Sequence, residues 1–318
     1  MLPSNGSKGM RETLTTSAVI LWPRELRDNP ICQRTPAIRR HGVTDGLTDE
    51  SANDMVIQNR EGNMTDPKAY RKFMKSDLWR EMNGIPTDQQ LRVPHPPLQQ
   101  PVHSDLPSIP LPDVVHSRLG EMTVRDAIAR RRSLRRFAPD PLTLEELAYL
   151  CWATQGVHEI WRGGLAVRRT VPSAGARHPF ETYLSIHRVA TLEPGLYRYL
   201  SLEHLLQPIR LDPALPQQIA RACHNQNFIA ESAVTFVWTA IPYRTEWRYG
   251  LMAPKLVNLD AGHVCQNLYL AAESIGAGAC AVAAYDQSAL DTLLGVDGED
   301  EFAIYVAPVG KPRRPASE

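Results

Sequence analysis

From Val257 to Ile275 the apolar residues Val257, Ala261, Val264, Leu268, Ala271 and Ile275 recur at alternating steps of four and three. That period lines one face of an α-helix. Cys265 and Ala272 widen the face well beyond a narrow seam. Gly276 and Gly278 are expected to stop the helix by supplying positive φ at its C-terminal end. A helix this long and this apolar needs cover along most of its length, so it is expected at the centre of its domain. His263, Gln266 and Asn267 fall on its other side, where polar groups need partners. Either this is a core helix whose polar groups are satisfied locally, or it is the spine beside a cofactor pocket.

The chain has 318 residues, enough for one large domain or two small ones. Its 35 basic and 35 acidic side chains cancel, so no overall charge draws it to nucleic acid or to a membrane surface. No apolar run approaches the ~20 residues of a membrane span. Ala18 to Trp22 is too short for a signal peptide core and runs into Pro23, with no small-residue cleavage site after it. The five cysteines (Cys32, Cys151, Cys223, Cys265, Cys280) are odd in number and widely spaced. They match neither a zinc site nor a disulfide framework, so no metal is expected and a reducing cytoplasm is.

Residues 1–58 are polar and lack sustained periodicity, which predicts a disordered extension, or sequence upstream of a true start at Met55 or Met64. Residues 59–115 read as a helix followed by a wrapping arm. The helix is predicted over Asp66–Met82, with Tyr70, Phe73, Met74, Leu78 and Met82 at helical spacing. The arm, Leu91–Val114, is dense in proline and expected to run extended over a surface.

Residues 116–318 read as the compact domain. Thr123 is a predicted cap for a helix running into Arg130–Phe137, and Thr143-Leu-Glu-Glu146 is a capping box opening a second helix that Gly156 ends. Strands are predicted over Thr182–Val189, Gly195–Leu200, Val234–Ile241 and Phe302–Val309, the last two nearly all apolar and so buried on both faces. Helices are predicted over Pro213–His224, with Pro213 near the first turn, and near Gln287–Leu294. Strands scattered among helices without regular βαβ alternation give an α+β class.

Three stretches could carry chemistry. Arg131-Arg132-Ser133-Leu134-Arg135-Arg136 offers rigid forks of donors suited to phosphate, but on charge alone it reads first as a solvated run at a helix end, where cations complement the dipole. Pro172-Ser173-Ala174-Gly175-Ala176 lets backbone approach a flat ligand closely, or is a simple turn. The small residues of Gly276–Asp286 could expose backbone N–H groups. There is no GxGxxG, no P-loop and no Gly-x-Ser-x-Gly elbow.

Taken in order, RRSLRRF, PSAGARHPFETY, GLYRY, WRYG, LDAGHVCQNLYLAAESIGAGACAVAAYD and LLGVDGEDEFAIYVAPVG resemble the nitroreductase-like flavoproteins over about Arg60–Lys311. Within them the chain is similar to the SagB/ThcOx-type dehydrogenases, which oxidise azolines to thiazoles and oxazoles in modified peptides. The resemblance implies a mixed β-sheet wrapped by helices, in an intertwined homodimer with two FMN sites at the subunit interface. It implies that Arg131, Arg132, Ser133 and Arg135 hold the FMN phosphate and ribityl chain. Pro172, Ser173, Ala174 and Gly175 would reach across the dimer to the flavin ring. Ala283 or Ala284 would offer a backbone N–H to flavin N5, and Lys311 and Arg313 would add phosphate contacts.

The azole-forming enzymes carry a Lys-Tyr pair before the long helix, and this chain reads Arg248-Tyr249. Arginine holds its proton too tightly to act as a base; tyrosine can serve. The resemblance thus implies an FMN-dependent oxidoreductase acting by hydride transfer at flavin N5, on a small molecule or a modified peptide. It is either an azoline dehydrogenase or an NAD(P)H-dependent reductase of small electron-poor molecules. A different class stays open: a non-catalytic flavin-fold subunit that docks a biosynthetic partner through the proline-rich arm.

Overall fold

The computed structural model describes residues 57–58, 64–101 and 104–313, all within one unit of the chain, Met55–Glu318. The extension predicted over residues 1–58 therefore lies outside the described residues except at its end. There strand β1 (Ile57–Gln58) pairs antiparallel with β2 (Met64–Thr65). A short 3₁₀ turn over Pro67–Met74 and helix α1 (Leu78–Glu81) follow. The single helix predicted over 66–82 is thus two pieces, because Lys75 is extended and Tyr70, Phe73 and Met74 find no core to pack on. Strand β3 (Ile109–Pro110) closes the proline-rich arm.

In the main domain come α2 (Val124–Arg130), α3 (Leu144–Gln155), the hairpin β4 (Val157–Trp161) and β5 (Ala166–Arg169), then β6 (Phe180–Ile186), β7 (Gly195–Leu200) and β8 (Leu205–Leu211). After them run α4 (Leu215–Ala222), β9 (Val234–Ala240), α5 (Tyr243–Tyr249), α6 (Ala253–Ser274), β10 (Gly278–Ala279), α7 (Gln287–Leu294) and β11 (Phe302–Gly310). Thr143 and Glu146 form the predicted capping box of α3. Pro213 lies outside α4; Pro216 occupies its first turn instead.

One sheet organises these elements, in the order β10-β11-β9-β6-β7-β8-β3, with every strand pair antiparallel. Its parallel component is confined to single bridges, Ser133 with Ala279 and Leu142 with Val189. Side chains alternate across a strand, and here both sets are buried. Val234, Phe236, Trp238 and Ala240 of β9 face the core that holds Leu147 and Leu150 of α3 and Val257, Val264 and Leu268 of α6. Val237 faces the opposite core, with Leu215 and Ile219 of α4 and Leu290 and Leu294 of α7. Each of the Val, Leu, Ile and Phe side chains contributes roughly 1.5–3 kcal/mol on burial. The sheet is therefore a middle layer with helices on both faces.

Helix α6 carries the predicted face: Val257, Ala261, Val264, Leu268 and Ala271 are buried, with Cys265 and Ala272 beside them. It begins at Ala253, seven residues before Asp260, with Pro254 in its first turn. Gly276 supplies positive φ (+66°) just past its end, as expected. Gly278 does not: it lies in β10, where a Cβ would come within 2.8 Å of Leu134. Close strand packing, not helix termination, requires that glycine.

Candidate active site

Thr123 caps α2, accepting from the Asp126 N–H at 3.1 Å, but the helix stops at Arg130 and does not run on to Phe137. The reason is local. The Arg132 guanidinium folds back and donates to the carbonyls of Ala129, Arg130 and Arg131 (3.0, 3.2 and 2.8 Å), closing the helix end. Beyond it the chain is extended. Ser133 bridges Ala279, and the Leu134 N–H donates to the Ala279 carbonyl at 2.9 Å.

Tyr269 of α6 ties this segment to the loop after β10. Its hydroxyl accepts from the Ala281 N–H at 2.7 Å and lies 3.2 Å from Ser133 Oγ, while the Arg131 guanidinium sits 5.2 Å from its ring centroid. Among the described residues no carboxylate pairs with Arg131, Arg132 or Arg135. Ala283 and Ala284 are exposed, and their N–H groups have no acceptor within the described chain. Arg313 is held through its backbone, which donates to the Arg136 carbonyl at 3.1 Å. Lys311 is engaged elsewhere: its ammonium bonds Glu146 of the α3 capping box and the Ile275 carbonyl.

The Pro172–Gly175 turn sits at the other end of α6. Asp260, buried on the apolar face, accepts from Ser173 Oγ at 2.6 Å and from the Ala174 N–H at 3.2 Å. Ser173 Oγ in turn accepts from the His178 N–H at 2.9 Å. Burial pushes the Asp260 carboxyl above its usual pKa, against the opposing effect of these donors. Gly175 has φ +60°, and a Cβ there would meet the Tyr249 hydroxyl at 2.7 Å and Arg248 Nε at 2.9 Å. Only glycine allows this approach. So the structure brings Arg248 and Tyr249 of α5 against the Ser173–Gly175 turn. Arg248 lies over the Tyr249 ring (5.5 Å to the centroid), and Trp79 of α1 meets that ring edge-on at 6.2 Å.

These two groups are not brought together in one chain. Tyr269 and Asp260, which organise them, are nine residues apart on α6, roughly 13 Å along a helix axis. The polar residues singled out on that helix behave differently. Asn267 is satisfied by the carbonyl of Ala153 at 2.9 Å, His263 and Gln266 are exposed, and His263 is 4.0 Å from Asp260.

Behind the turn lies a cluster of buried arginines. Glu181 pairs with Arg244 and Arg198 (2.5 and 2.7 Å) and accepts from the Gln100 N–H of the arm at 2.8 Å. Burial alone would raise its pKa, yet the two guanidiniums outweigh that and hold it below the usual range. Arg198 also donates to the carbonyls of Gln100 and Pro101, and Arg169 to that of Leu98, so the arm is clamped by charged donors. His178 is driven down to about 3, by burial first and then by Arg169.

Sequence reasoning missed Asp260 and Tyr269. For Asp260 a signal existed: an acid three residues after Val257 and four before Val264 lies on the apolar stripe. A buried acid needs donors, and the turn supplies them.

With this geometry in view, the likeness to known proteins is informative. A family model described as the nitroreductase family matches residues 128–311, more than half of the chain. A Methanocaldococcus jannaschii protein named as a nitroreductase is 34% identical over 207 residues, covering 65% of this chain and 98% of the relative. The trifolitoxin-processing protein TfxB of Rhizobium leguminosarum bv. trifolii is 25% identical over 173 residues, 52% of this chain and 46% of TfxB, so only about half of that relative is spanned. In fold, a Ralstonia eutropha nitroreductase crystal structure superposes with a TM-score of 0.55 at 24% identity, covering 70% of this chain and 100% of that one. The Escherichia coli microcin synthetase McbBCD complex, solved with truncated pro-MccB17 bound, superposes with a TM-score of 0.50 at 19% identity, covering 79% and 95%. The match spans the arginine segment, the Ser173–Gly175 turn, α6 and the final strand, and the chain belongs to the nitroreductase family of oxidoreductases.

Proposed function

We propose that this chain is an FMN-dependent oxidoreductase of the SagB/ThcOx-type branch, working as a homodimer and dehydrogenating azoline rings in a modified peptide. One observation carries the cofactor assignment. The Arg131–Arg135 segment is docked on Ala279 and Tyr269 in a way that leaves the Arg131 and Arg135 guanidiniums without carboxylates. Such forks suit a phosphate monoester, and no dinucleotide fingerprint accompanies them. The donor set therefore fits FMN: Arg131, Ser133 and Arg135 would hold its phosphate and ribityl chain, with Arg313 near them. Arg132 contributes by closing α2, and Lys311 only by its charge, because Glu146 engages it.

Bound FMN would supply the two-electron redox chemistry, and the chain supplies binding, orientation and a proton acceptor. The free N–H of Ala283 or Ala284 would be the donor offered to the flavin. The separation of the phosphate group of residues from the Ser173–Gly175 turn along α6 favours a pocket completed by the turn of a second chain. Tyr249, beside that turn, is the group to take the proton when hydrogen leaves a carbon acid, a role typically worth about 10²–10⁴ in rate. Arg248 lies over its ring.

The likeness to TfxB, named for processing trifolitoxin, supports a peptide rather than a free nitroaromatic as substrate. Run in the reductive direction, the same site would take electrons from NAD(P)H. The test is anaerobic: mix the FMN-loaded protein with an azoline-containing peptide and follow bleaching of the flavin absorbance together with azole formation by mass spectrometry. Bleaching by NAD(P)H but not by the azoline would make it a reductase of small electron-poor molecules. A colourless protein that turns over neither would make it a non-catalytic partner subunit.

A further inference from the structure

A cavity of about 300 Å³ lies beside the Ser173–Gly175 turn, between Gln89, just ahead of the arm, Trp161, Leu165 and Arg168 of the β4–β5 region, Gly175 and Arg248. That is the small end of ligand pockets, ~300–1,000 Å³. Its charge is lopsided. Arg168 is balanced by Glu159 at 3.0 Å and lies over the Trp161 ring at 5.5 Å. Arg248 has no carboxylate and no hydrogen-bond acceptor among the described residues; it lies over the Tyr249 ring and packs against Gly175. Behind the wall stands Arg177, 2% exposed, which donates to the carbonyls of Leu165 and Arg244 and stacks on Trp247 at 4.8 Å. Its Nη2 atom is buried with no partner. The Arg177 pKa is depressed, first by burial and then by the charges of Arg248 and Arg244.

A cation that faces a cavity, is kept there by a glycine that lets it in, and is repelled by cations behind it lacks a counter-charge. The ligand is the natural source of one. We propose that this cavity is a carboxylate-binding subsite, in which Arg248 holds the carboxylate of an aromatic acid or of a peptide while Trp161 covers its apolar part. This rests on the oxidoreductase reading for its placement beside the flavin-facing turn, and it gives that reading a substrate class. Arg248 then acts as a specificity-determining residue, not as a partner in proton transfer. Its planar fork can make two parallel bonds to a carboxylate, which the ammonium of a lysine cannot.

The test uses the purified full chain with saturating FMN and four probes: benzoate, benzamide, N-acetyl-dialanine and the C-terminal amide of that dipeptide. Binding is read by saturation-transfer NMR and by tryptophan fluorescence, in wild type, Arg248→Gln and Arg248→Lys. Circular dichroism confirms folding, and flavin absorbance is recorded on the same samples. The expected result is that at least one carboxylate binds tenfold or more tighter than its amide in wild type. That preference is lost in Arg248→Gln and partly regained in Arg248→Lys. Benzoate as the tighter acid points to small aromatic acids, the dipeptide to a peptide carboxylate. Equal binding of acids and amides in wild type overturns the proposal, as does a preference that survives Arg248→Gln. A chain that prefers the acids yet holds no flavin refutes only the oxidoreductase reading. One that holds FMN without the preference refutes only this subsite.

Discussion

Replacing Asp260 by alanine removes the carboxylate that fixes the Ser173–Gly175 turn to α6. Two hydrogen bonds are lost, from Ser173 Oγ at 2.6 Å and from the Ala174 N–H at 3.2 Å. Bonds to an ionised group are worth about 1.5–3 kcal/mol each, which sets an upper range of about 3–6 kcal/mol. Burial of the carboxylate opposes this, as its raised pKa shows, so the net loss is expected at about 2–4 kcal/mol. Asp260→Asn keeps one carbonyl oxygen and should lose about half as much. Urea unfolding gives both numbers, and a double-mutant cycle with Ser173→Ala isolates the shared bond, with coupling of about 0.5–3 kcal/mol. FMN affinity should fall in parallel, because the turn is what a second chain would present to the flavin. If Asp260→Ala unfolds within about 0.5 kcal/mol of wild type, the carboxylate does not hold the turn and the reasoning fails.

Tyr269→Phe deletes the hydroxyl shared by Ser133 Oγ and the Ala281 N–H; FMN affinity measured by fluorescence quenching should drop about tenfold while stability falls by no more than about 1.5 kcal/mol. Tyr249→Phe keeps ring and shape but removes the proton acceptor, so azoline oxidation should fall by about two orders of magnitude or more in a stopped-flow assay, with NAD(P)H-driven nitroaromatic reduction nearly unchanged. Burial lowers His187 to about 4 despite its bond to the Ser232 carbonyl. Between pH 6.5 and 4 the unfolded chain then binds more protons at this position than the folded one. Its contribution is complete above pH 6.5 and is lost as pH falls toward 4. Urea unfolding as a function of pH should show wild type losing about 1.4 kcal/mol per pH unit more than His187→Gln across that window.

The elements legible in the sequence were those whose own periodicity matched their burial. Helix α6, the capping box of α3, and strands β7, β9 and β11 fall close to the predicted spans because both cores press on residues two or three and four apart. What sequence could not show was decided by long-range partners. Arg130–Phe137 has helical composition, yet Arg132 closes the helix and Ala279, far along the chain, captures Ser133 and Leu134 in an extended form. Hairpin β4–β5 escaped notice because β4 is mostly exposed and carries no alternation. The site motifs were visible as residue types, and the structure shows how they sit. Arg131 and Ser133 are gathered by Tyr269, and Ser173–Gly175 by Asp260, two polar residues of a helix whose pattern is dominated by its apolar face.

Titration of the chain with FMN, against the Arg131→Ala/Arg135→Ala variant, decides whether the two guanidiniums without carboxylates form a phosphate site. Wild type is expected to be yellow as purified, to release FMN rather than FAD, and to bind it at least tenfold more tightly than the double variant. Each charge-assisted bond to phosphate is worth about 1.5–3 kcal/mol, so the loss should be plain. A colourless wild-type protein, or a double variant that binds FMN as tightly as wild type, would contradict the assignment.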